Sequence, residues 1–216
     1  MNKMEKDALE FTIIRGIIDN AQRKLILKQE FIQFESNDRV SNPYTTFKSN
    51  EILEFRYGMK WITFKLTFGR EYFIYIKNNQ NKIIKINFRT YFGRKKTEYH
   101  NLYGNIIQNI IKFYFDNRVV EYIKRYENKE AFTIGEVKFS VDGVTIQVSG
   151  IINHSEKMIA WNNIRTKDYI SYFSIYSAED PSKINRGYSY LNDWNTYVLY
   201  CVLRSILNSQ GIEKWV

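Results

Sequence analysis

Between Arg70 and Lys96 the chain carries eight cations, Arg70, Lys77, Lys82, Lys85, Arg89, Arg94, Lys95 and Lys96, against one anion, Glu71. Within it, "KIIKINFRTYFGRKK" (82–96) alternates in residue type and then ends in three successive cations. A period of two places Ile84, Ile86, Phe88 and Thr90 on one face of a strand, and Lys85, Asn87 and Arg89 on the other. Tyr91 and Phe92 stand among the charges. Cations neutralise phosphates or carboxylates, and aromatic faces stack on bases. Lys85, Arg89, Arg94, Lys95 and Lys96 are therefore the candidate site for an acidic partner. The competing account is a solvated edge strand, where lysines block unwanted pairing.

Other residues with chemical potential are sparse. His100 and His154 are the only histidines and Cys201 the only cysteine. Metal centres draw on several His, Cys or clustered carboxylates, so neither a metal nor a cofactor is expected. Cys201 lies between Tyr200 and Val202 in a helical apolar pattern and reads as a small core residue rather than a nucleophile. Glu136-Val137-Lys138 has the E-x-K spacing of a metal-dependent nuclease strand. That chemistry needs a second carboxylate on a neighbouring strand, and Asp116, Glu121 and Glu127 fall on helical sequence instead. "FGRE" and "FGRK" each hold one glycine, too few for a phosphate-cradling loop. The expectation is a protein that is not an enzyme.

Composition bounds the frame that holds these residues. The 216 residues are 44% hydrophobic and 17% aromatic, with only 10 Gly and 2 Pro. Such a chain supports a real core and favours pleated sheet over disorder. A single cysteine excludes an intrachain disulfide. No apolar run reaches the roughly eighteen residues of a membrane-spanning helix. Met1–Phe11 has no apolar stretch of signal-peptide length. The expectation is a soluble, cytoplasmic protein. Charge is uneven: residues 1–125 hold 23 Lys and Arg against 13 Asp and Glu, residues 126–216 hold 9 against 10. The positive field belongs to the N-terminal half.

Along the chain, residues 4–22 read as a short amphipathic helix through Leu9, Ile13 and Ile17, with strand as the alternative for a β-branched run. "RKLILKQEFIQFES" alternates as one long strand or a hairpin, and "SNDRVSNPY" is a loop by composition. "EILEFRYG", "KWITFKLTFG", "EYFIYIK" and "KIIKINFRTYF" follow as a meander of four strands, with "NNQN" (78–81) as a turn. Tyr99, Leu102, Tyr103, Ile106, Ile107, Ile110, Phe113 and Tyr114 then recur at helical spacing. "NRVVEYIKRYENKE" extends the helix or links two domains. Strands return after Ala131, with Asp142-Gly143 as a hairpin signal, then "EKMIAW", "DYISYFSIYS" and "RGYSYL". The closing helix runs through Trp194, Val198, Val202 and Ile206. Asn192 or Asp193 is its expected cap and Gly211 its left-handed stop.

Strands then helix thus occur twice. "Asn50-Glu51-Ile52" and "Asn162-Asn163-Ile164" sit at similar places in the two halves. About 46 residues separate Ile52 from the first helix and about 29 separate Ile164 from the second, as if one hairpin were missing. This arrangement resembles the pleckstrin-homology-like superfold, especially its bacterial versions, in tandem. The resemblance makes "YHNLYGNIIQNIIKFYF" and "DWNTYVLYCVLRSIL" the helices that plug its two open barrels. The resemblance implies an α+β fold of two antiparallel meanders or partly open barrels, each closed by a C-terminal amphipathic helix. Residues 1–130 would form a basic N-terminal domain with a helical linker, and 131–216 a smaller second domain. "IAWNNI" (159–164) looks like the central strand of such domains. The familiar lipid site flanks the first inter-strand loop, here "SNDRVSNP" with Arg39 beside Asp38, so phosphoinositide binding is not expected. The expected function is a protein-interaction or assembly module, with a protein partner or self-association. The alternative is binding of nucleic acid or an anionic surface through the basic half.

Overall fold

A computed structural model describes residues 8–17, 19–36, 43–64, 66–149 and 154–212. The chain divides into two compact units, residues 1–116 and 117–216. In the first, β1 (Leu9–Ile14), β2 (Gln22–Leu27), β3 (Phe31–Glu35) and β4 (Tyr44–Lys48) form an antiparallel meander. A 3-10 turn over Ser49–Glu51 leads into a second meander of β5 (Ile52–Phe64), β6 (Thr67–Asn78) and β7 (Ile83–Tyr91). Helix α1 (Lys96–Ile110) follows and continues as a π-helical turn over Ile111–Phe115.

The expected N-terminal helix is a strand over Leu9–Ile14, with residues 4–7 outside the described segments. Thr12, Ile13 and Ile14 are β-branched, and their stiff side chains fit a pleat better than a helix. β1 pairs with β2 from Leu9↔Leu27 to Ile14↔Gln22. "RKLILKQEFIQFES" is a hairpin, with Leu25 opposite Phe34 and Leu27 opposite Ile32, all four buried. Each large apolar side chain buried in this way contributes roughly 2–3 kcal/mol before ordering costs.

The four strands expected over residues 51–92 are three. Breaks were expected near Gly58 and Gly69, yet both lie inside the long β5–β6 ladder, opposite Phe73 and Ile62. Gly69 is there for space: a Cβ would stand 2.0 Å from the Thr90 carbonyl oxygen of β7. The chain reverses instead between Phe64 and Thr67, the last ladder pair. The "NNQN" turn forms as expected, with Asn78 Oδ1 accepting from the amides of Gln80 and Lys82. The inner face of the sheet meets α1 and the π turn through aromatic contacts: Phe88 with Tyr99, Tyr72 with Tyr103, and Phe55 with Phe115.

In the second unit, α2 (Asp116–Glu127) precedes β8 (Phe132–Ile134), β9 (Val137–Phe139), β10 (Gly143–Ser149) and β11 (His154–Ala160). These strands are again a four-stranded meander. Helix α2 is more than a linker, since Tyr122 packs on Phe132 and Tyr126 on Trp161. A 3-10 turn at Trp161–Asn163 leads to β12 (Ile164–Asp168), β13 (Tyr172–Ser177) and β14 (Asn185–Ser189), then α3 (Thr196–Ser209). "IAWNNI" is therefore not a central strand but the break between two sheets. Trp161 is buried there, and its Nε1 donates to the Val141 carbonyl at 3.0 Å.

No hairpin is missing between Ile164 and α3. Both three-stranded sheets are complete, and the length difference lies in the strands, 13, 12 and 9 residues against 5, 6 and 5. Helix α3 buries Val198, Leu199, Val202, Leu203, Ile206 and Leu207. Its N-cap is neither Asn192 nor Asp193 but Asn195, in a left-handed conformation. Asp193 Oδ2 instead accepts from the Ser189 amide at 2.7 Å. Gly211 ends the helix as expected, at φ 73°. The amides of Gly211 and Ile212 bond back to the carbonyls of Asn208 and Leu207, which satisfies carbonyls the helix leaves open. The fold is α+β with four antiparallel sheets, and among the described residues no sheet closes on itself.

Candidate functional site

The alternation of β7 places its side chains as the sequence predicts. Ile84, Ile86, Phe88 and Thr90 are buried, while Lys85 and Arg89 are exposed on the opposite face. Register sets Lys85 opposite Tyr75, Asn87 opposite Phe73, and Arg89 opposite Glu71. Arg89 Nε donates to Glu71 Oε1 at 2.7 Å. That hydrogen bond, with the attraction of the carboxylate, holds the Arg89 guanidinium above its usual pKa against a smaller opposing effect of burial. Arg89 is thus a neutralised cation. Lys85 makes no ion pair among the described residues.

The same sheet face carries more cations laid over rings. Arg56 lies 5.2 Å from the Tyr75 ring and Lys60 lies 5.5 Å from the Phe73 ring. Beside them a groove of about 710 Å³ opens between the outer face of β6–β7 and the segment after β1. Arg15, Asp19, Thr67, Glu71, Lys85 and Asn87 contribute to its lining. Its charges are mostly internal pairs: Asp19 holds Arg15 at 3.6 Å and Arg23 at 2.9 Å. Asn87 Oδ1 is buried with no hydrogen-bond partner. Lys85, exposed at the groove, is the side chain that can meet an acidic group there.

The remaining predicted cations lie elsewhere. After β7 the chain turns through three left-handed residues, Phe92, Gly93 and Lys95, at φ 54°, 69° and 53°. Arg94 and Lys95 are exposed on this turn, Lys96 is exposed at the first position of α1, and Lys95 faces Glu98 at 3.6 Å. Lys96 lines a small cleft of about 140 Å³ with Trp61, Phe68 and Arg70. The five predicted residues therefore divide into a groove pair, Lys85 and Arg89, and a turn cluster, Arg94–Lys96.

Sequence reading missed the side chains next to that cluster. At the end of the β5–β6 hairpin, Trp61 and Phe64 are each 67% exposed and Leu66 is 92% exposed, with Phe68 and Phe92 also exposed. Phe68 meets Phe92 edge-on at 5.5 Å, and the Arg70 guanidinium lies 4.5 Å from the Trp61 ring. Between Trp61 and Phe68 nothing in the sequence marks a turn, so the segment reads as one continuous strand. In the second unit the corresponding hairpin, β12–β13, also ends in apolar groups. Ile170 is fully exposed, and Tyr169 stacks on Tyr172 at 4.3 Å.

The E-x-K residues do not share a centre. Glu136, in the turn before β9, binds Arg186 at 2.7 Å, and Lys138 binds Glu156 at 2.7 Å. No group of three His, Cys, Asp or Glu suited to a metal ion occurs among the described residues. His100 is exposed on α1, the His154 side chain lies outside the description, and Cys201 is half-buried on α3. Arg39 and most of its loop also lie outside the described residues. No described helix is long and apolar enough to cross a membrane. No family model, curated protein or solved structure matches the chain.

Proposed function

We propose that the chain is a non-catalytic interaction or assembly module made of two pleckstrin-homology-like units in tandem. The order of elements supports the tandem reading. From its first strand each unit runs four-stranded meander, 3-10 turn, three-stranded meander, helix, with α2 preceding this order in the second. The segments "Asn50-Glu51-Ile52" and "Asn162-Asn163-Ile164" straddle the two 3-10 turns. Fold alone does not carry function. The observation that carries it is the pair of hairpin ends, with Phe64 and Leu66 in one unit and Tyr169 and Ile170 in the other, all exposed. Large apolar side chains grouped in water mark a docking surface. The near-neutral second unit, with 12 Lys and Arg against 11 Asp and Glu over residues 117–216, suits a protein partner or a second copy of the chain. A cytoplasmic location accords with the single cysteine. The test is light scattering across a concentration series. Self-association raises the mass, and Ile170→Asp returns it to the monomer; a monomer at every concentration overturns that assembly reading.

A second reading is binding of nucleic acid or another anionic surface through the first unit. It is favoured by Lys85, Arg94 and Lys96, which make no ion pair among the described residues. Single-stranded and duplex DNA would be titrated at several salt concentrations. Binding that weakens steeply with salt, and is lost when Arg94, Lys95 and Lys96 become Glu, supports it. Absence of binding at low salt overturns the nucleic-acid form of this reading.

A further inference from the structure

We propose that the end of the β5–β6 hairpin docks on an anionic lipid bilayer. This deepens the reading of the first unit as a docking unit and rests on it. The third strand of the sheet stops short: β7 pairs with β6 only as far as Gly69↔Tyr91, while β5 and β6 remain paired out to Phe64↔Thr67. The hairpin end is a two-stranded ribbon without a third strand beside it. Trp61 and Phe68 stand at alternate positions of that ribbon from Phe64, so apolar groups occur on both of its faces, with Leu66 at the tip.

That shape selects the occupant. A protein that buried both faces and the tip would need a deep complementary slot. A fluid bilayer accepts a narrow convex wedge without preformed complementarity. Trp and Phe also favour the headgroup boundary, where an apolar ring sits beside a polar layer. The cations stand where phosphates would then lie. Arg70 rests against Trp61, Lys96 lines the cleft beside Trp61 and Phe68, and Arg94 and Lys95 occupy the adjoining turn. Residues 1–116 hold 20 Lys and Arg against 12 Asp and Glu, so the whole unit is drawn to an anionic leaflet. Apolar insertion and basic attraction are the two signals that stable peripheral anchoring combines.

The full chain would be sedimented with vesicles of phosphatidylcholine alone and of equimolar phosphatidylcholine and phosphatidylglycerol. The expected result is binding to the anionic vesicles only, reversed by salt. Leu66→Asp should weaken it at least tenfold, and so should reversal of Arg94, Lys95 and Lys96 to Glu. Leu66 is too exposed for its replacement to disturb the fold, and circular dichroism checks this. Brominated lipid should quench emission of the wild type, and Trp61→Phe should remove that quenching. Failure to bind anionic vesicles overturns the proposal. So does binding that charge reversal abolishes while Leu66→Asp leaves it intact, which is adsorption of cations alone. Should the vesicles fail while the wild type self-associates and Leu66→Asp abolishes that, the hairpin is a protein interface, and the docking-unit reading survives without the lipid. Should neither occur, both fall.

Discussion

Tyr114 sits where helix meets sheet in the first unit, and its hydroxyl oxygen is 2.7 Å from the carbonyls of both Lys28 and Phe31. The phenol has one proton and donates to one carbonyl at a time, fastening the β2–β3 turn to the π-helical turn. Tyr114→Phe should cost about 1 kcal/mol, the usual worth of one such bond, read as a lower midpoint in urea denaturation. Burial also pushes the phenols of Tyr103, Tyr114, Tyr188 and Tyr190 above their ordinary pKa. In the unfolded chain these groups ionise near pH 10. A raised folded pKa gives stability that is complete below the unfolded value and lost as pH rises through the folded one. Stability should therefore decline above about pH 10, and the Tyr114→Phe protein should decline less steeply, as measured by denaturation across an alkaline series. Arg89 follows the same sign, but its window opens above the ordinary arginine value and has no bearing near neutrality.

Glycines at the element scale separate two physical roles. At Gly69 a Cβ would meet the Thr90 carbonyl oxygen at 2.0 Å, so Gly69→Ala must push β6 and β7 apart and should destabilise by at least about 2 kcal/mol. At Gly104, inside α1, a Cβ meets nothing within 4 Å, and Gly104→Ala should stabilise by about 0.5–1 kcal/mol by lowering unfolded-chain entropy. Thermal melts of the two variants, moving in opposite directions, check both. The same contrast explains what was legible in the sequence. The faces of β7 and α3 follow from periodicity, because each element obeys one period from end to end. Gly58 and Gly69 read as breaks because the partner strand that needs the space is many residues away. The reversal at Phe64–Thr67 is silent, because it contains none of the Gly, Asn, Asp or Pro that turns favour. The cations of the candidate site were visible from composition. The exposed Trp61, Phe64 and Leu66 were not, since apolar type predicts burial until the ladder shows where the sheet ends.

Over the whole molecule, charge and apolar exposure are distributed differently. Both units end the first hairpin of their three-stranded sheet in exposed apolar groups, but only residues 1–116 carry a large cationic excess. If polyanion attraction follows total charge, the position of a removed cation is immaterial; if it follows a local field, position decides. Two triple variants separate these cases. One reverses Arg94, Lys95 and Lys96 to Glu in the first unit; the other reverses Lys157, Lys167 and Lys183 to Glu in the second. Both change the formal charge equally. At physiological salt the Debye length is about 8 Å, so a bound polyanion responds mainly to the cations within about that distance of it. The first variant should leave a heparin column at clearly lower salt than the wild type, and the second should elute close to it. Lys167 lies over the Tyr169 ring and Lys183 faces Asp180 at 3.5 Å, so part of the second unit's charge is already engaged locally. Equal shifts for the two variants would mean that net charge alone governs retention, and that the turn cluster of the first unit has no special part in it.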